Sequence, residues 1–126
     1  NKNLIFLDGS KSSFDLIRHC QAVLGFQTSG MIEAMNTNKP IIYSAWGDLY
    51  GDIKDTLLPL ENSNCLTVCK SKDQLYRSLC NLINNYENRT IKDNQELSRA
   101  EFIDKYFTNS DGLVSDRLAN IIYEKI

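Results

Sequence analysis

The sequence predicts an α/β domain: a parallel sheet with helices on both faces, ending in further C-terminal helices. Two observations carry this. Short apolar runs recur along the first two thirds of the chain, and segments with helical spacing separate them. Strands this apolar are buried on both faces, as parallel strands are, and their crossovers are expected to be right-handed. A chain of 126 residues fits one domain, able to bury roughly two thirds of its unfolded surface.

The first strand is expected at Leu4-Ile5-Phe6-Leu7, stopped by the turn Asp8-Gly9-Ser10. A helix follows, capped by Ser12 or Ser13, with Asp15 in its first turn, Phe14, Leu16 and Ile17 on its inner face, and an end near His19. Ala22-Val23-Leu24-Gly25-Phe26 is the second buried run. After Gln27-Thr28-Ser29-Gly30, the helix formers from Met31 to Met35 make a second helix, which Asn36-Thr37-Asn38 stops. Pro40 opens a third strand, Ile41-Ile42-Tyr43-Ser44, where a proline in first position costs little. Leu66-Thr67-Val68 reads as a fourth. Ser71 caps the next helix with Gln74 three residues on, and Leu75, Leu79, Leu82 and Ile83 form its buried stripe. Helical spacing then runs from Leu97 to Tyr106. After a break at Asn109-Ser110-Asp111-Gly112 it resumes from Leu113 to Ile126, with Leu118, Ile121 and Ile122 in step.

Charge and cysteine usage narrow the function classes. Fourteen Lys and Arg against sixteen Asp and Glu are scattered along the chain, so no basic face is available for a nucleic acid. The longest apolar stretches fall far short of the roughly 20 residues that cross a bilayer, and no signal-like segment stands at the start. At most a peripheral membrane association is expected, at the inner face, with the cytoplasm as the location. Cys20, Cys65, Cys69 and Cys80 show no C-x-x-C spacing and share the chain with one histidine, so no metal site is expected. Cys65 and Cys69 flank a strand and are expected to point to one face as small buried hydrophobes. Asn88-Arg89-Thr90 reads as a polar loop. Asn1 in first place and a strand almost at once make residues 1–126 read as one domain cut from something longer.

In a parallel sheet the turns after the strands emerge along one carboxyl edge, where ligands of open α/β sheets bind. The turn Gln27-Thr28-Ser29-Gly30 is the informative one. Hydroxyl residues and a glycine at a helix start expose unpaired N–H groups to an anion such as a diphosphate, and Gly30 lets it approach the backbone. Glu33, four residues after Ser29, has two readings. Its carboxylate accepts hydrogen bonds from the vicinal hydroxyls of a ribose, or, with Gly30 as cap, it satisfies an orphan donor of the first turn. The residues alone leave both open.

Three stretches carry a resemblance: Phe14-Asp15-Leu16-Ile17-Arg18-His19, Ala22 through Met35, and Lys39-Pro40-Ile41-Ile42. They resemble the C-terminal domain of GT-B glycosyltransferases, particularly capsule and surface-carbohydrate enzymes, and also CDP-glycerol glycerophosphotransferases. Asp111-Gly112-Leu113-Val114-Ser115-Asp116-Arg117-Leu118-Ala119 is similar to the D-G-x-A-S-x-R-I-A segment near the end of such proteins. The resemblance implies a Rossmann-like GT-B C-terminal half that grips a nucleotide-activated donor, with Ser29 in the phosphate turn and Glu33 on the donor ribose. It also implies transfer of a sugar or polyol phosphate to a surface or capsular glycan, with no cofactor. Acceptor site and catalytic base are implied to belong to an N-terminal domain outside these residues, so no catalytic residue is assigned and the chain by itself is expected to be inactive. The sequence departs from the pattern at Asn36-Thr37-Asn38-Lys39, where a glycine usually precedes Lys-Pro, and at Val114, where alanine is common.

The segment Ser44 to Asp52 reads as a loop closing over the donor, with Trp46 and Tyr50 stacking on base or sugar and Asp48 binding hydroxyls, or else packing on a neighbouring domain. Asp8 and Ser10 share the ligand edge as further candidate contacts. His19 falls at a helix end, where a cation suits the dipole. Two rivals remain: a nucleotide-sugar epimerase domain, which shares much of the turn, and a non-catalytic α/β interaction module.

Overall fold

The computed structural model describes residues 9, 11–85, 91, 93–107 and 113–124. The expected strand Leu4–Leu7, Asp8, Ser10, the loop Asn88–Thr90 and the break Asn109–Gly112 lie outside the described residues. Elements follow in the order α1 (Ser13–His19), β1 (Val23–Gly25), α2 (Ser29–Met35), β2 (Ile41–Ser44), α3 (Asp48–Ile53), β3 (Thr67–Cys69), α4 (Lys72–Asn84), α5 (Asp93–Phe107) and α6 (Val114–Tyr123). Two 3-10 turns, Lys54–Thr56 and Leu60–Asn62, fill the path from α3 to β3. The α/β expectation holds, with a parallel sheet in the order β1-β2-β3 and registers Gly25↔Tyr43 and Ser44↔Cys69.

Local chemistry sets the boundaries. Ser12 caps α1 by accepting from the Phe14 N–H at 3.2 Å, and Asp15 sits in the first turn where the dipole favours it. Pro40 precedes β2 with its carbonyl accepting from Val23 N–H at 2.9 Å. Ser71 caps α4 by accepting from Gln74 N–H, and the Gln74 carboxamide reaches back to Lys70 N–H at 2.7 Å. That is a capping box displaced by one residue.

Alternation along β2 divides the core. Ile41 and Tyr43 face α2 and α5, in one cluster with Ile17, Met31, Ala34, Met35, Leu60, Phe102 and Ile103. Ile42 is equally buried on the opposite face, where α4 packs on β2 and β3. Several inward assignments fail for lack of a covering element. Phe14 and Leu16 are exposed on α1, leaving Ile17 as its buried residue, and Leu24 on β1 is 51% exposed because α4 covers the other two strands. No residue of α4 is buried: Leu75, Leu79 and Leu82 are half-buried, and Ile83 is 69% exposed. Leu118, Ile121 and Ile122 keep their helical spacing on α6 but are exposed.

The cysteines also part company. β3 begins at Thr67, one residue later than expected, so Cys65 lies in the preceding turn rather than across the strand from Cys69. Both are buried, but Cys65 Sγ–H donates to Ser98 of α5 at 3.1 Å while Cys69 Sγ lies 3.5 Å from the Ser78 hydroxyl of α4. They serve opposite faces.

Arg99, only 2% exposed, ties α5 to the amino edge of the sheet. Its Nε donates to the Cys65 carbonyl at 2.7 Å and Nη1 to the Thr37 carbonyl at 2.8 Å, closing the turns that enter β3 and follow α2. Nη2 has no partner. Burial lowers the guanidinium's pKa from its ordinary value, yet arginine stays protonated, so both bonds are charge-assisted. Arg99→Ala is expected to cost about 3 kcal/mol by urea unfolding, through the lost bonds and the cavity left behind. Arg99→Lys should recover less than half, because an ammonium cannot serve both carbonyls as a fork. A loss below about 1 kcal/mol for the alanine variant would show that both carbonyls find other partners.

Candidate functional site

Parallel strands deliver the segments Phe26–Thr28, Ala45–Gly47 and Lys70–Ser71 to one edge. Gly25 brings the first of these close beneath α2. A Cβ there would meet Met31 Sδ at 3.0 Å and Thr28 Oγ1 at 3.4 Å, so any larger residue would require the Met31 side chain to shift. Phe26 then stacks on Tyr43, ring centroids 5.6 Å apart and planes 6° from parallel. Gln27 adopts φ +46°, the left-handed region that side chains with a Cβ rarely enter. Its carboxamide points inward, donating to the Tyr43 hydroxyl at 3.1 Å and the Leu58 carbonyl at 2.9 Å. Thr28 and Ser29 are exposed. A Cβ on Gly30 would meet only Thr28 Oγ1 at 3.9 Å, so the backbone there is open to approach.

The cap position separates the two readings of Glu33. Thr28, with ψ 149°, is the N-cap rather than Gly30, and its side chain makes no cap bond. Glu33 therefore lies more than a full turn past the cap, beyond the orphan donors a capping carboxylate serves. The N–H groups of Ser29 and Gly30 have no intrahelical acceptor. Glu33 instead accepts from Ser13 Oγ at 2.7 Å, a bond from α1 to α2. Ser13, Thr28 and Gly30 line one groove of about 270 Å³ between these helices, floored by Ile17, Ala22 and Val23. The structure thus brings a hydroxyl-bearing turn and an oriented carboxylate to one place.

The segment after β2 is not a loop throughout. Gly47, at φ +112°, admits α3, with exposed Asp48 in its first turn and Trp46 half-buried before it. Tyr50 turns away from the groove. Its ring meets Phe26 edge-on at 5.8 Å, its hydroxyl donates to Glu61, and both residues line a second cleft of about 290 Å³ with Tyr43 and Lys54. His19 is exposed in the last turn of α1. Among the described residues no cluster of His, Cys, Asp or Glu could hold a metal ion, and no helix is long and apolar enough to cross a membrane. Sequence reasoning missed Ser13 as the partner of Glu33, Tyr43 as the anchor of Gln27, and Glu61 as the acceptor of Tyr50. Only the first had a signal, since parallel topology makes α1 and α2 neighbours.

Among the described residues, a three-stranded parallel sheet clad by helices, with an open turn at its carboxyl edge and helices at its end, forms a Rossmann-like fragment. Residues 3–124 match the family model described as CDP-Glycerol:Poly(glycerophosphate) glycerophosphotransferase, and the chain belongs to that family. That family is one of GT-B-like transferases that draw on a nucleotide-activated donor. No curated protein matches the chain, and no solved structure matches it.

Desolvation, then the Glu61 carboxylate, pushes the Tyr50 phenol well above the ordinary tyrosine range. An unfolded tyrosine ionises near pH 10, so above that the unfolded chain sheds a proton the folded one keeps, and stability falls as pH rises. Tyr50→Phe is expected to make this decline shallower between roughly pH 10 and 11.5 in urea unfolding at stepped pH. An unchanged slope would place Tyr50 in water.

Proposed function

We propose that this chain holds the nucleotide-activated donor for a phosphoryl transfer that extends a surface glycan. The family's name specifies CDP-glycerol as donor and poly(glycerophosphate) as acceptor. On that chemistry an acceptor hydroxyl oxygen attacks the glycerol-bearing phosphorus. A phosphodiester forms, the phosphoanhydride bond breaks, CMP leaves with the bonding electron pair, and the acceptor proton passes to a base. No described residue is assigned as that base. The acceptor site and the base belong, in this reading, to a further domain of the whole protein.

The observation that carries the donor assignment is the 2.7 Å bond from Ser13 to Glu33 beside the groove walled by Thr28 and Gly30. A carboxylate held by one hydroxyl keeps lone pairs for a ribose diol. Four helical residues separate Ser29 from Glu33, about 6 Å of rise, comparable to the step from a nucleotide's diphosphate to its ribose hydroxyls. The Ser29 and Gly30 N–H groups and the Thr28 and Ser29 hydroxyls would face the diphosphate, where they offset the charge that grows on the leaving phosphate. Gln27 contributes its backbone to this turn while its side chain faces the core. Trp46 and Asp48 stand at the same edge, within the part of the site suited to the base or the polyol.

Calorimetric titration tests this. Glu33→Ala is expected to weaken CDP by roughly 10-fold to 100-fold while leaving inorganic pyrophosphate within about twofold. Ser13→Ala, which frees the carboxylate without removing it, should cost CDP only about threefold. Equal losses for CDP and pyrophosphate on Glu33→Ala would remove the ribose assignment, and no heat from any nucleotide with the unaltered protein would favour an interaction module.

A further inference from the structure

We propose that Gln27 is a positioning residue: its carboxamide latches the donor turn in the left-handed conformation that turns the first N–H groups of α2 outward. This rests on the donor reading above. A residue with a Cβ at φ +46° sits in a conformation that glycine would adopt without strain, and such a residue persists only where its surroundings hold it. Gln27 is held by two bonds, to Tyr43 Oη at 3.1 Å and to the Leu58 carbonyl at 2.9 Å.

Both acceptors are themselves fixed. Tyr43 is 1% exposed on the central strand with Phe26 stacked on its ring, and Leu58 packs against the same core. On the other side of Phe26, a Cβ at Gly25 would crowd the Met31 side chain at 3.0 Å and Thr28 Oγ1 at 3.4 Å, so the backbone there lies close beneath both. The turn is therefore clamped at both ends, by close packing at Gly25 and by the latch at Gln27. Donors fixed in advance need no reordering when a phosphate arrives, which is where a ligand otherwise loses affinity. Glycine would supply the conformation without the latch. Asparagine favours the left-handed region as well, but it is one methylene too short to reach Tyr43 and Leu58 together.

The test uses Gln27→Gly, Gln27→Asn and Tyr43→Phe in the purified protein, with two readouts. The first needs no ligand: amide hydrogen exchange at Met31, whose N–H donates to the Thr28 carbonyl at 3.0 Å across the turn. Exchange is expected to accelerate about tenfold in both Gln27 variants and about threefold in Tyr43→Phe, with amides of β1 and β2 unchanged. The second is affinity for CDP and for pyrophosphate, which the Gln27 variants should lose by the same factor, about tenfold, since both ligands use the turn. Unchanged Met31 exchange overturns the latch whatever the affinities are. If exchange accelerates but the unaltered protein binds neither ligand, the donor reading fails, and the positioning role fails with it. Should a Gln27 variant unfold, Tyr43→Phe decides, because it removes one oxygen from an otherwise intact core.

Discussion

Strand β2 is hydrogen-bonded on both sides and covered on both faces, so it has no freedom that is not shared with the whole sheet. Val23 to Gly25 pair along one side of it and Thr67 to Cys69 along the other. Every feature of the carboxyl edge is referred to it. Tyr43 offers Phe26 a stacking surface and Gln27 an acceptor, and the Ser44 hydroxyl donates to the Gly25 carbonyl at 3.2 Å, clipping the end of β1 to the central strand. The shape of the turn is a consequence of packing in the core. A small shift of β2 would therefore be felt at Thr28 before it was felt at the surface of any helix.

The two edges of the sheet are treated differently. At the amino edge a buried guanidinium from α5 binds the Cys65 and Thr37 carbonyls, and the cost of desolvating that charge is offset by charge-assisted bonds. This closes the edge. At the carboxyl edge Thr28 and Ser29 are exposed, the first N–H groups of α2 lack intrahelical acceptors, and Ser13, which lines the groove beside them, donates to Glu33. Side chains that would otherwise fill the turn, those of Phe26 and Gln27, are turned into the core. Among the described strands, one edge is closed by a buried charge and the other is left open.

How legible this was follows from which interactions are local. Strand positions could be read because Ile41-Ile42-Tyr43 is apolar without interruption, and helix starts could be read because Ser12 and Ser71 cap within their own turns. Inner faces were less legible. Spacing gives a stripe but not its cover, so Phe14, Leu24 and Ile83 were assigned to a core that no element extends far enough to make. The turn at Thr28 to Gly30 was visible from its residue types. The inward role of Gln27 was not, since it depends on acceptors 16 and 31 residues away. Arg99 reads in sequence as one more solvated charge on a helix. Its burial depends on two carbonyls in turns 34 and 62 residues distant.

In the proposed donor reading, the family match moves the bond that breaks. Had the donor been a sugar, the glycosidic bond would break, a nucleoside diphosphate would leave intact, and the new charge would fall on its terminal phosphate. For a CDP-linked polyol phosphate the bond that breaks lies between the two phosphates. If the turn holds the departing phosphate as proposed, its N–H groups would meet more charge in the transition state than in the bound donor, and such differential contacts accelerate the chemical step. In the proposed donor reading Glu33 would meet the same ribose hydroxyls throughout, so its binding energy would be uniform and would set how tightly the donor is held. On that proposal turn and carboxylate, one helical turn apart, would divide between them the rate of transfer and the affinity for what is transferred.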